Sequence, residues 1–144
     1  MEIKKAFETM KKELKKEMGI SGGFTMSAKQ IENRTATYLV CNLVPWEKEI
    51  KYFEDACARV RGYSSWTDEE KARWCNDYET ITIPWFKEQL AKFGTKTAYA
   101  ENEINRVINS AAFAKFSAEV GGCRWEKEIK TDSGIEYVYI RFRY

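Results

Sequence analysis

The chain has 144 residues, of which 44% are hydrophobic and 15% are aromatic. This composition fits one domain with one core, and it excludes a wholly disordered chain, which would be poor in aromatic residues and high in net charge. The 24 basic and 22 acidic residues nearly cancel, which excludes both a strongly basic nucleic-acid binder and an acidic nucleic-acid mimic. The sequence has no stretch of roughly 20 apolar residues and no signal-peptide core. We therefore expect a cytoplasmic protein that makes no membrane contact.

The first half of the chain has apolar residues at helical spacing. One stripe predicts a helix that ends at Gly19 and is also a candidate homodimer seam; its members are Ile3, Phe7, Met10, Leu14 and Met18. Ser27 caps a second segment, which we predict to be helical to residue 44 because no turn residue interrupts it. Thr35–Val44 is also rich in β-branched and aromatic residues, which is typical of a strand. Pro45 and Gly62 delimit a third helix.

In the second half, Thr67 and Glu70 form a capping box that opens a fourth helix to about Tyr78. We expect residues 80–84 to break this helix, because Pro84 disfavours helical backbone at the preceding residue. Further helices are predicted over 85–93, 97–108 and 110–120.

After Gly121 the apolar period changes from 3.6 to 2, and residues 123–144 predict a β-hairpin that turns at 131–134. Val138, Ile140 and Phe142 should be buried on one face. The predicted fold class is mainly α (α+β), a helical single domain over residues 1–144, with helices in 1–120 and a C-terminal β-hairpin in 123–144.

Histidine and the common catalytic motifs are missing from the sequence. The chain has no histidine, and it contains no nucleophile elbow, P-loop or dinucleotide-binding turn. Its four cysteines lie far apart without a CxxC pair, so we expect reduced thiols, no metal site and no cofactor. We therefore predict a protein that is not an enzyme. A carboxylate–metal nuclease is an alternative, because Glu128 and Lys130 have the ExK spacing, although no aspartate precedes them on the hairpin.

A second alternative is a nucleic-acid binder. Helices 97–108 and 110–120 followed by a hairpin have the order of a winged helix-turn-helix, in which Arg141 and Arg143 would contact phosphates. The would-be recognition helix presents Lys115 as its outward cation and has no Arg, Asn or Gln to read bases. Alternatively, both arginines pair across the hairpin with acids such as Glu126 and Glu128.

The abundance of aromatic residues favours a protein-binding function, because five Trp and eight Tyr exceed the usual needs of a core of this size. On the last strand, the face opposite the buried one carries Tyr and Arg, two residue types enriched at interface centres. The predicted partner-binding residues are Tyr137, Tyr139, Arg141, Arg143, Lys115 and Trp66.

A compact chain without histidine that ends in YVYIRFRY resembles the small inhibitor proteins of phages and other mobile elements, the anti-CRISPR and anti-defence proteins. The resemblance covers the ending and the general style of the chain, so no residue role is carried over. It implies a non-catalytic inhibitor that occludes a protein or ribonucleoprotein partner, such as a nuclease of host defence.

Overall fold

The computed structural model describes residues 2–19 and 22–144, and it is mixed α+β and mainly helical, as predicted. The helices are α1 (Ile3–Met18), α2 (Ala28–Glu32), α3 (Trp46–Arg61), α4 (Asp68–Asp77), α5 (Ile83–Phe93), α6 (Lys96–Ile108) and α7 (Ala111–Glu119). A π-helical turn spans Tyr78–Thr82. The strands are β1 (Phe24–Thr25), β2 (Thr35–Asn42), β3 (Arg124–Asp132) and β4 (Ile135–Arg143). No helix among the described residues is long and apolar enough to cross a membrane.

The chain divides into two compact units. Unit 1 comprises the described residues of Met1–Leu43 and Ala100–Tyr144, and unit 2 is Val44–Tyr99. That the two units form a single domain stays a prediction.

Unit 1 is built on a four-stranded antiparallel sheet in the order β1-β2-β4-β3. Its inner face is covered by α1, α7 and the part of α6 that belongs to this unit. Val138, Ile140 and Phe142 of β4 are at most 2% exposed there, which confirms the predicted alternation. The predicted hairpin is also confirmed, and it turns at Ser133 and Gly134, both with positive φ, as a two-residue hairpin loop requires.

The N-terminal helix is confirmed as α1, and Gly19 ends it with φ 72°. Phe7, Met10 and Leu14 are at most 1% exposed because they pack into the core of unit 1. The prediction of a homodimer seam through this stripe is therefore not supported, since the stripe is already covered by its own chain.

The predicted helix over residues 28–44 is correct only for α2, because residues 35–42 form strand β2. Ser27 and Gln30 make a capping box that opens α2, and Arg34 then turns the chain with φ 56°. β2 pairs with β1 on one side and with β4 on the other. The β-branched and aromatic composition of this segment therefore prevails, because distant strands supply its hydrogen-bond partners.

The predicted break at residues 80–84 is also wrong, because the backbone stays helical from α4 through the π turn into α5. The Ile83 amide donates to the carbonyl of Tyr78, five residues earlier, and the Thr80 hydroxyl donates to the Asn76 carbonyl at 2.6 Å. Pro84 follows the π turn at the start of α5, and as a proline it has no N–H to donate to the preceding turn. The wider π turn thus accommodates the proline without ending the helix.

Candidate partner-binding surface

The sheet of unit 1 has a second face, which points away from the core and which we call the outer face. β4 contributes Tyr137, Tyr139, Arg141 and Arg143, as predicted from alternation. The neighbouring strands contribute the side chains in register with them, namely Thr35, Thr37, Leu39 and Asn42 from β2 and Arg124, Glu126, Glu128 and Lys130 from β3. The helices α1, α6 and α7 lie on the other side of the sheet, while α2 touches the outer face at one end, where Gln30 donates to Thr37 at 3.3 Å.

Both arginines of β4 have a carboxylate partner on β3. The Nε and Nη2 atoms of Arg143 donate to Oε1 of Glu126 at 3.2 and 3.0 Å. Nη1 of Arg141 lies 3.8 Å from Oε2 of Glu128, which is too long for a hydrogen bond. The alternative pairing of both arginines across the hairpin is therefore present. Arg143 donates two hydrogen bonds of ordinary length to Glu126, whereas Arg141 has donors free to bond elsewhere.

Glu128 accepts no hydrogen bond at Oε2, which is buried. Its nearest cations are Arg141 and Lys130, and the Nζ of Lys130 is 3.9 Å from its Oε1. Lys130 also lies 5.3 Å from the ring centre of Tyr139, a cation–π distance. The centre of the outer face thus holds a carboxylate whose hydrogen-bonding capacity is unfilled.

Positive charge exceeds negative charge on the outer face. Arg124, Arg141, Arg143 and Lys130 face two carboxylates, those of Glu126 and Glu128, which leaves an excess of two positive charges. Arg124 and Arg143 stand directly opposite each other in register, a like-charge pair that Glu126 offsets. A surface of this charge attracts acidic groups.

The two tyrosines supply apolar area between these charges. Tyr139 lies between Leu39 and Glu128 in register, and Tyr137 lies between Asn42 and Lys130. Both are half-buried. Tyrosine offers a rigid ring with a polar end, so the outer face combines apolar contact with hydrogen bonding.

Two of the six predicted partner-binding residues lie elsewhere. Lys115 is on α7 and donates to Glu13 of α1 at 3.1 Å, a bond that raises its pKa. Because α7 packs on the inner face of the sheet, Lys115 does not join the outer face. Trp66 belongs to unit 2, where its ring lies 5.3 Å from that of Tyr63 and packs near Cys57 and Cys75.

Sequence reasoning missed the contribution of β2 to the outer face. Thr37 and Leu39 lie in the segment that we predict to be helical, so the prediction does not place them beside β4. The signal was present, because Ala36 and Tyr38 alternate with them and are buried on the inner face.

Unit 2 exposes several aromatic and aliphatic side chains that the sequence analysis does not predict as partner-binding residues. Tyr52, Tyr63, Trp74, Ile81 and Trp85 are each at least 40% exposed. A run of ring contacts leads inward from Trp74 through Tyr78 and Phe53 to Phe86, with centroid distances of 5.2, 4.9 and 5.8 Å. Unit 2 therefore offers a second surface at which a partner could be sought.

The residues of the nuclease alternative do not form a metal-binding group. Across residues 2–19 and 22–144, the group of side chains that could hold a metal ion is Cys57, Cys75 and Glu79 in unit 2. Glu128 is not part of it, and its neighbours on the outer face are cations and a tyrosine.

Comparison with protein-family models, with curated proteins and with solved structures finds no match to this chain.

Proposed function

We propose that this chain is a non-catalytic binding protein of the cytoplasm, whose outer sheet face contacts an acidic surface of a protein partner, alone or within a ribonucleoprotein. The observation that carries the proposal is the composition of this face. The centre of the face holds tyrosine and arginine, which are typical of interface centres. A sheet face that only needs to be soluble would more often hold lysine, glutamate or threonine at these positions.

The free bonding capacity of the face supports the same function. Arg141 is not hydrogen-bonded to Glu128, and Oε2 of Glu128 accepts no bond. A partner that brings a carboxylate to Arg141 would occupy these free donors. The excess of two positive charges favours an acidic partner over a basic one.

A protein partner fits this face better than nucleic acid does. Arg143 and Glu126 neutralise each other, and Lys115 of the would-be recognition helix is engaged by Glu13. Few cations are then left for phosphates, and the net charge of the whole chain is only +2.

The resemblance to anti-defence proteins supplies the proposed consequence of binding, which is occlusion of the partner. A nuclease of host defence is the partner class that it implies. The excess positive charge of the outer face suits an acidic region of such a partner and does not suit its basic nucleic-acid cleft.

The test compares two double variants of equal charge change in a capture experiment from the native source. Arg141→Ala with Arg143→Ala removes two ion-paired cations from the outer face. Lys115→Ala with Lys127→Ala removes two from the inner side, where their partners are Glu13 and Glu101. The protein captured by the unaltered chain should bind the first variant about 30-fold more weakly, which corresponds to about 2 kcal/mol, and should bind the second nearly unchanged.

Equal binding by both variants would remove the outer face from consideration and direct the search to the exposed aromatic residues of unit 2. A nucleic-acid partner would instead be captured in a nuclease-sensitive form, with affinity falling steeply as salt rises.

A further inference from the structure

The two cysteines of unit 2 lie close together where α3 packs against α4. Cys57 on α3 and Cys75 on α4 are both buried, at 1% and 0% exposure. The thiol of Cys75 donates to the backbone carbonyl of Cys57 at 3.8 Å. Both side chains are free thiols.

A carboxylate completes this cluster. Glu79 lies four residues after Cys75, one helical turn further on, within the π turn. The two sulfur atoms and a carboxylate oxygen of Glu79 all lie within 4.8 Å of one another. The carboxylate is also ion-paired with Arg61, which lies four residues after Cys57 on α3.

We propose that Cys57, Cys75 and Glu79 form a binding site for a thiophilic divalent metal ion, of which Zn²⁺ is the physiological candidate. Tetrahedral Zn²⁺ bound by two thiolates places its sulfur atoms about 3.8 Å apart, a spacing that the cluster reaches with small side-chain movements. Three protein ligands leave the fourth position to water, which can enter beside the exposed Glu79.

Ligand chemistry selects the metal class. Thiolates favour Zn²⁺ and related soft or borderline ions, whereas Mg²⁺ and Ca²⁺ need oxygen ligands that this cluster does not supply.

Charge balance also favours the bound state. Two thiolates and one carboxylate carry three negative charges, which a divalent ion and the neighbouring Arg61 would neutralise together. Without a metal ion, burial raises the pKa of Cys57 to about 11, so this thiol keeps its proton at neutral pH. A metal ion would displace the proton of this thiol and balance the buried negative charge that results.

The first experiment is a titration of the full chain with Co²⁺ under reducing conditions, followed by displacement with Zn²⁺. We expect one equivalent of Co²⁺ to produce thiolate-to-metal charge-transfer absorption. Because thiolate ligands lose their protons on binding, the apparent affinity should rise with pH. Absence of the charge-transfer band in the reduced protein would overturn the proposal.

Cysteine variants identify the ligands. Cys57→Ser and Cys75→Ser should each weaken binding by about 100-fold or more, while Cys41→Ser and Cys123→Ser should leave it unchanged. Loss of the band in the Cys41 or Cys123 variant, or its full retention in the Cys57 and Cys75 variants, would refute the assignment.

The exposed carboxylate provides a test that does not depend on a core substitution. Glu79→Gln and Arg61→Gln both remove the same ion pair, but only the first removes a ligand. Far-UV circular dichroism should show both variants folded. Glu79→Gln should weaken Co²⁺ binding by at least tenfold more than Arg61→Gln, and equal effects of the two would exclude Glu79 as a ligand and overturn the three-ligand site.

Discussion

Phe142 links the sheet of unit 1 to the helices that cover it. Its side chain is fully buried, and its ring centre lies 5.6 Å from that of Phe113 on α7. Phe142→Ala would leave a cavity between β4 and α7, so the free energy of unfolding should fall by about 3–5 kcal/mol in urea denaturation. Ile129→Ala is the control, because Ile129 is on the same hairpin and is 50% exposed. An equal loss in both variants would show that Phe142 is not a core residue.

Glu128 fits a nuclease motif in the sequence but contacts cations in the structure. Its spacing to Lys130 matched a nuclease motif, yet its oxygens lie near Lys130 and Arg141, at 3.9 and 3.8 Å. The charge of this carboxylate therefore serves the outer face, where it holds neighbouring cations close together.

Strand β4 has two faces with different expected contributions to stability. Arg141 and Arg143 lie on the outer face, and their ion pairs with Glu128 and Glu126 are partly solvent-exposed. Such pairs contribute little, so replacing both arginines with alanine should lower the free energy of unfolding by only about 0.5 kcal/mol each. Chemical denaturation checks this value. If the double variant were strongly destabilised while it still bound its partner fully when folded, the arginines would be structural.

The local sequence pattern predicts strand β4 correctly but does not predict strand β2. The faces of β4 follow from its alternation alone, because Val138, Ile140 and Phe142 are apolar and their neighbours are not. Segment 35–44 has the composition of a strand, but no turn residue separates it from α2, and its pairing partner β4 lies about a hundred residues away in the chain.

Among the helices and the two candidate sites, too, some features follow from local sequence and others depend on contacts between distant residues. Proline statistics predicted a break before Pro84, but a π turn with its own hydrogen bonds prevented it. The β4 half of the outer face could be read from the sequence, together with the pairing of its arginines. The proximity of Cys57 and Cys75 could not be predicted from the sequence, because it depends on how α3 and α4 pack.

At the scale of the whole molecule, the two units have separate buried clusters. Phe142 belongs to that of unit 1, and Trp46, 2% exposed, belongs to one in unit 2. We expect Phe142→Ala to reduce hydrogen-exchange protection mainly in the sheet, and Trp46→Ala to reduce it mainly in α3 and α5, because each unit loses its own packing. Uniform loss of protection in both variants would instead indicate a single cooperative unit.

The position of β4 in the sheet has a consequence for synthesis of the chain. β4 is an internal strand that pairs with β2. The ribosome must nevertheless synthesise residues 43–134 after β2 and before β4. At about 5–20 residues per second, this interval lasts roughly 5–20 seconds. During that time β2 of the nascent chain has an unpaired edge, whereas unit 2 is complete in sequence by residue 99. Holdase chaperones and neighbouring nascent copies would therefore compete with β4 for this edge, and the rate of elongation through residues 43–134 would influence the yield of folded protein.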